Sequence, residues 1–175
     1  MKFLLVITII FGVIYPVVVT GVGQLFFAKQ SNGSVISVEN QDGVSKKYGS
    51  ELLGQAFTKK EYLIGRPTEV SNYAPNSPEQ RALVEQRIQW WHTFSEDETT
   101  LIPADLVMAS GSGVDPYITA EAAYYQVERI ANARNIAIKD VYDIIDTYKT
   151  ERLFGFIGET KVHVLSVNLA LDGII

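Results

Sequence analysis

The chain has 175 residues, 47% of them hydrophobic and 20% charged, with a formal net charge of −5 and no cysteine. That balance excludes a disordered chain, and the scattered lysines and arginines exclude a nucleic-acid footprint, so no nucleic-acid partner is expected. The missing cysteines exclude disulfides, thiolate zinc sites and cysteine nucleophiles.

The first element in the chain is apolar. Phe3 to Ala28, FLLVITIIFGVIYPVVVTGVGQLFFA, holds no charged residue, with Lys2 before it and Lys29 after it. A helix rises about 1.5 Å per residue, so roughly 20 residues cross a ~30 Å hydrocarbon core. Residues 1–28 read as a transmembrane anchor in the lipid bilayer, and residues 29–175 as the soluble domain. Pro16 predicts a kink. Tyr15, Thr20 and Gln24 are polar points that a bilayer tolerates near an interface or against a partner helix, which makes them the candidate membrane partner contacts. A cleaved signal peptide is the competing reading, with Gly21-x-Gly23 at its cleavage site. The length of the apolar run, and its continuation through Leu25, Phe26 and Phe27, favour the anchor. A short tail before a first apolar segment usually stays in the cytoplasm. The expectation is a single-pass protein of the cell membrane with its main domain outside, although Lys2 and Lys29 give little bias. All 20 acidic residues follow the apolar run. An acidic domain is not drawn to anionic lipid headgroups.

Ser31-Asn32-Gly33-Ser34 then reads as a linker. Ser34–Glu39 is a β-branched strand, Asp42-Gly43 a hairpin turn, and VSKKYGSELL the returning strand. Residues 65–78 hold three prolines and read as loop. Ser77-Pro78-Glu79-Gln80 starts a helix, with Ser77 as cap and Gln80 completing a capping box. Val84, Ile88 and Trp91 make its apolar face, widened by Trp90 and Phe94 into the core. Glu96-Asp97-Glu98 reads as a solvated loop. Thr119 caps a second helix with Ala123, Val127, Ile130 and Ala131 buried and Asn135 as its stop. A third helix runs from about Lys139 to Lys149, burying Val141, Ile144, Ile145 and Tyr148. The tail KVHVLSVNLALDGII is strand or helix; periodicity leaves both open. The sum is an α+β fold: one N-terminal transmembrane helix followed by a small mixed α/β soluble domain.

Between the first two helices of that domain lies ASGSGVDP, residues 109–116. A P-loop needs a lysine after its second glycine, and none follows. A dinucleotide loop needs a third glycine where Pro116 stands. A nucleophile elbow needs G-x-S-x-G, and Ser112 is flanked directly by Gly111 and Gly113. The remaining readings are a turn that orders the helix start, with Ser110, Ser112, Asp105 and Asp115 in a local hydrogen-bond network, or a lead-in to a capped helix whose free N–H groups attract an anion. Neither His92 nor His163 has a metal-spaced partner, so no metal site is expected. Ser112, Asp115 and His163 are the residue types of a hydrolase triad, which only geometry can recognise. No catalytic residue is assigned.

Four stretches carry a family resemblance: YPVVVTGVGQLFF; YGSELLGQAF with EYLIGRP; PADLVMASGSGVDPYIT with AAYYQVERIANAR; and TERLFGFIGE with VLSVNLALDG. In these, and in their order along nearly the whole chain, the sequence resembles the C subunit of the Kdp potassium-transporting P-type ATPase, the KdpC family. It departs from the family pattern in a short loop at Thr68–Pro78. Tyr117 and Tyr148 stand where histidine is common, and His163 where asparagine is common, so a histidine-based mechanism finds no support there.

The resemblance implies a single-span inner-membrane subunit with an extracytoplasmic domain. Its implied partners are a channel-like potassium-selecting subunit and a P-type pump subunit, which it helps to assemble. It also implies a catalytic chaperone role, raising the pump subunit's affinity for ATP. No firmly bound cofactor is implied; ATP enters through the pump subunit. On this reading Ser110, Gly111, Ser112, Gly113 and Asp115 form a nucleotide or docking loop. A domain outside the membrane cannot touch cytoplasmic ATP, so coupling would pass through the membrane part; direct contact needs the domain inside. The rival readings are an independent anchored serine hydrolase using Ser112 and a free-standing anchored binding module.

Overall fold

A computed structural model of the chain describes residues 1–39, 43–69, 73–95 and 100–175. The chain divides into two compact units, Met1–Ser50 and Glu51–Ile175.

In the first unit, α1 (Lys2–Ile9), a π-helical turn (Ile10–Ile14) and α2 (Tyr15–Phe26) join into one helix of 25 residues that contains an 18-residue stretch with a mean hydropathy of 2.6. The π turn has a local cause. Pro16 has no N–H to give the carbonyl four residues back, and its ring crowds that carbonyl. Widening the preceding turn is a way to absorb the misfit, so the expected disturbance at Pro16 takes this form. At about 1.5 Å per residue the helix is long enough to span a bilayer with tilt. It ends at Phe27 (φ −136°), and a single helical turn, α3 (Ala28–Ser31), follows. The side-chain amides of Gln24 and Asn32 pair here: Asn32 Nδ2 donates to Gln24 Oε1 at 3.1 Å. Ser34 is buried at φ 47°. Strand β1 (Val35–Glu39) pairs antiparallel with β2 (Ser45–Ser50), with a bulge between Ile36 and Ser37. The expected hairpin is present, although Asp42 of its turn lies outside the described residues; Gly43 takes φ 73°.

The second unit is built on a three-stranded antiparallel sheet in the order β3-β5-β4, where β3 is Tyr117–Thr119, β4 Lys149–Thr150 and β5 Lys161–His163. Helices surround it. The longest, α4 (Pro78–Ser95), has the predicted Ser77 cap, with the Gln80 N–H donating to Ser77 Oγ at 3.2 Å. The expected capping box is not closed, because the Ser77 N–H donates to the Ala74 carbonyl at 2.9 Å. Trp91 is 1% exposed and donates its indole N–H to the Leu106 carbonyl at 3.0 Å. Trp90 corrects the expectation of a core residue: it is 44% exposed and stacks on Phe94 at 4.4 Å. Residue 90 precedes 91 by 100° around the helix, and that turn suffices to leave the core. Glu96-Asp97-Glu98 lies outside the described residues.

A short helix, α5 (Ala104–Val107), leads into the glycine-serine loop and β3. Thr119 caps the next helix through Ala122 N–H, as read from sequence. The expected single helix is two, α6 (Ala120–Tyr124) and α7 (Val127–Arg134). The break falls at Gln126. Its side-chain amide donates to the Ala122 carbonyl at 3.0 Å, while its backbone N–H turns to Ala123 at 3.1 Å. Asn135 ends α7 in the left-handed region, as its αL tolerance allows. Next is α8 (Ile138–Thr147), which buries Val141 and Ile145. The ambiguous tail is both things in turn: β5, then α9 (Val164–Leu171). The core collects Leu63, Trp91, Ile118, Ile130, Val141 and Val162, each at most 1% exposed.

Candidate functional site

The loop after α5 folds as a chain of side-chain-capped turns. Gly113 N–H donates to Ser110 Oγ at 2.9 Å, and Val114 N–H to Ser112 Oγ at 3.2 Å. The two hydroxyls lie 3.3 Å apart. Gly113 adopts φ 69°, a conformation that costs an L side chain about 1–2 kcal/mol. Asp115 Oδ1 accepts the Tyr117 N–H at 3.0 Å, an Asx turn that delivers the chain into β3. Ser110, Gly111, Ser112, Gly113 and Asp115 are thus brought together as one ordered lip. Ser110, Gly111, Ser112 and Asp115 border an open depression of about 450 Å³ that Glu51 and Leu52 also line. Two of the loop's N–H groups are engaged by its own hydroxyls, which is turn chemistry.

Asp105 does not join the serines, as the local-network reading expected. It is buried, accepts from Arg66 Nη2 with one oxygen, and takes the Thr119 N–H at 2.7 Å with the other. Arg66 Nε also faces Asp115 Oδ2 at 3.6 Å. One guanidinium therefore ties the two acids that hold both ends of β3. On the opposite side Gly54 donates its N–H to the Val114 carbonyl at 2.6 Å. A Cβ on Gly54 would stand 2.6 Å from the Asp115 carbonyl oxygen. Gly54 and Arg66 were missed as site residues because a glycine in GSELLG or an arginine in GRP carries no motif of its own.

A second framework holds the segment Lys60–Ile64, which opens in a turn and belongs to no strand. Asn168 accepts the Leu63 N–H at 2.7 Å and donates to the Leu63 carbonyl at 2.9 Å. Gln126 does the same for Ile64, at 2.8 and 2.9 Å. Two side-chain amides thus replace a neighbouring strand. Arg129 adds donations to the Lys60 and Tyr62 carbonyls. It is buried beside Phe94, its guanidinium 5.0 Å from the ring centroid, and desolvation lowers its pKa to about 10, so it stays charged at neutral pH.

His163 closes the question of a triad. The Ser166 N–H and hydroxyl both point at Nδ1 (3.3 and 2.7 Å), so Nδ1 accepts and the ring proton sits on Nε2, which donates to the Glu51 carbonyl at 3.2 Å. Asp115 is taken up by Tyr117 and Arg66, and Ser112 by its own loop. Ser112, Asp115 and His163 form no relay, and the hydrolase reading loses its geometric basis. Burial depresses the His163 pKa, the Glu51 carbonyl partly opposing it.

Of the candidate contacts on the apolar helix, Tyr15 and Thr20 are exposed, and Gln24 is engaged with Asn32. Among the described residues no cluster of three or more His, Cys, Asp or Glu is placed to hold a metal ion.

The family model for KdpC, the K+-transporting ATPase c chain, matches residues 1–173. The chain belongs to the KdpC family. It is 49% identical over 173 residues to the potassium-transporting ATPase KdpC subunit of Listeria innocua serovar 6a, covering 97% of this chain and 91% of that one. The subunit of Listeria monocytogenes serotype 4a is 48% identical over 171 residues, 96% and 90% of the two chains. That of Clostridium perfringens is 45% identical over 190 residues, 98% and 93%. The KdpC match takes in the apolar helix, the loop and the amide clamp alike. The expected assignment to a membrane transporter complex therefore stands at the level of family.

Proposed function

We propose that this chain is the accessory subunit of an ATP-driven potassium importer and performs no turnover of its own. The observation that carries the reading is similarity to KdpC subunits along more than nine-tenths of the chain. The helix Lys2–Phe26 anchors it once across the cell membrane, with residues 29–175 outside. It stabilises the assembly of a channel-like potassium-selecting subunit with a P-type pump subunit. Tyr15, Thr20 and Gln24 meet a partner helix in the bilayer, and the lip from Ser110 to Asp115 meets a partner outside it. The chain holds no cofactor firmly and encounters ATP only through the pump subunit, whose ATP affinity it raises by biasing that subunit's conformation through the membrane part.

Co-purification in mild detergent tests the assembly: potassium-stimulated ATPase activity should accompany the tagged chain, and Gln24→Leu should reduce its recovery. A chain that purifies alone, or undiminished recovery of the variant complex, counts against the reading. The side of the membrane is read with a cysteine at Leu101, which is 91% exposed. Ser34, in the stretch read as a linker, is unsuitable because it is buried. An impermeant thiol reagent should label Leu101→Cys in intact cells. Labelling only after permeabilisation would put the body inside and make direct nucleotide contact the better account.

A further inference from the structure

Between β4 and β5 the chain makes a small hairpin whose end is almost wholly apolar. Leu153, Phe154, Phe156 and Ile157 are 60%, 80%, 74% and 50% exposed. Isolated exposed hydrophobics need no explanation, but four large ones in five residues, two of them aromatic, do. Phe154 also sits at φ 54°, a conformation that costs a bulky side chain free energy and that no packing on this unit explains, given its exposure.

Four of the five N–H groups of this tip, those of Leu153, Gly155, Phe156 and Ile157, are bonded within the hairpin. Leu153 and Ile157 exchange both N–H···O=C bonds, at 2.8 and 3.0 Å, Gly155 N–H reaches the Arg152 carbonyl at 3.1 Å, and Phe156 N–H the Leu153 carbonyl at 3.3 Å. A segment that docks by adding a strand to a protein partner needs open N–H and C=O groups. A segment that enters hydrocarbon needs the reverse, because lipid satisfies none. The flanking residues are charged: Glu151 and Arg152 on one side, Glu159 and Lys161 on the other. At about 3.3 Å per residue, the two or three residues from Arg152 to the turn give a depth of roughly 5–10 Å, that of an interfacial insertion. The same chain carries a candidate membrane span, and such a tether makes a weak contact effective by raising local concentration.

From these features we infer that the tip Leu153–Ile157 inserts into the bilayer interface as a second, shallow membrane contact. It binds acyl chains through apolar burial, so its insertion is insensitive to anionic lipid content and to salt, in keeping with the acidic body.

The inference rests on the anchor reading, and the test separates the two. The chain has no cysteine, so the full-length protein in nanodiscs can carry an environment-sensitive dye at one introduced cysteine. Three positions are compared: Phe156→Cys in the tip, Val18→Cys in the apolar helix and Leu101→Cys as an exposed reference. Lipids with a quencher near the headgroup should quench the Phe156→Cys dye at least twofold more than the Leu101→Cys dye, equally in zwitterionic and anionic discs. Adding Leu153→Ser should abolish that excess. A tip dye no more quenched than the reference, with the Val18→Cys dye quenched, overturns the tip contact and leaves the anchor standing; loss of quenching at both overturns both. A blue shift at Phe156→Cys without lipid quenching, arising only in the assembled complex, also overturns it and seats the tip in a protein groove.

Discussion

Gly54 and Gly111 belong to the same loop framework and make opposite demands. An added methyl at Gly54 meets backbone, the Asp115 carbonyl oxygen, which cannot rotate away; at Gly111 nothing lies within 4 Å. Gly54→Ala should therefore lower the stability of the full chain in detergent by about 1–3 kcal/mol, while Gly111→Ala changes it by less than about 0.5 kcal/mol. Gly113→Val belongs with Gly54, since φ 69° is costly for a β-branched residue. Equal melting temperatures for all three would show that the lip is not braced as described. His163 makes a prediction in pH. Its imidazole is held below the ordinary value of 6.5 chiefly by burial, so the folded state binds its proton later than the unfolded chain does. The contribution is fully present above about pH 6.5 and is lost as pH falls from there through the folded value. Protonation also puts a cation on the helix start and ends the Nδ1 cap of Ser166 N–H. Asn caps helices well and does not titrate in this range, so His163→Asn should keep neutral-pH stability and flatten the slope between pH 7 and 5. An unchanged slope would assign the acid sensitivity to other groups.

At the scale of elements, the segment Lys60–Ile64 is held without a sheet. Leu63 is fully buried, and both its backbone groups depend on one amide, Asn168. A buried backbone group without a partner costs about 1–3 kcal/mol, so Asn168→Leu, which orphans two, should destabilise by roughly 2–6 kcal/mol. Hydrogen exchange should accelerate first at the Leu63 amide and less at Ile64, which Gln126 holds. Uniform acceleration would mean global rather than local loss. This clamp also marks where sequence reading stopped. Caps and stops were legible because their chemistry is local: Ser77 reaches Gln80, Thr119 reaches Ala122, and Asn135 needs only its own backbone angle. The apolar helix was legible from composition. The partners of Asn168 and Gln126 lie 105 and 62 residues away, and no spacing within either helix announces them. The same holds for Arg66 with Asp105 and for Gly54 with Val114. The break between α6 and α7 escaped because Gln126 sits in a sound helical pattern and breaks it by bonding to Ile64. The loop's five residues were found as a group because they are contiguous; what braces them was not.

For the whole molecule, the proposed placement of the body outside the membrane leaves only a conformational route between the chain and cytoplasmic ATP. That route has a thermodynamic consequence that a direct contact to the nucleotide need not be invoked to explain. If the chain tightens ATP binding to the pump subunit by a given factor, ATP must tighten the chain's binding to the rest of the complex by the same factor. A tenfold effect is a coupling of about 1.4 kcal/mol, well within what a shift between two conformations supplies. The expectation is that a non-hydrolysable ATP analogue lowers the Kd between this chain and the remaining subunits in nanodiscs by the factor by which the chain lowers the analogue's Kd. Both quantities must be equilibrium affinities, because reciprocity does not extend to turnover. The glycine series enters as a control: Gly54→Ala, which disturbs the lip, should weaken both affinities together if the lip docks on a partner, whereas Gly111→Ala should leave both unchanged. An analogue Kd that ignores the chain, with a chain Kd that ignores the analogue, would show no equilibrium coupling, and the effect on ATP would then have to be kinetic.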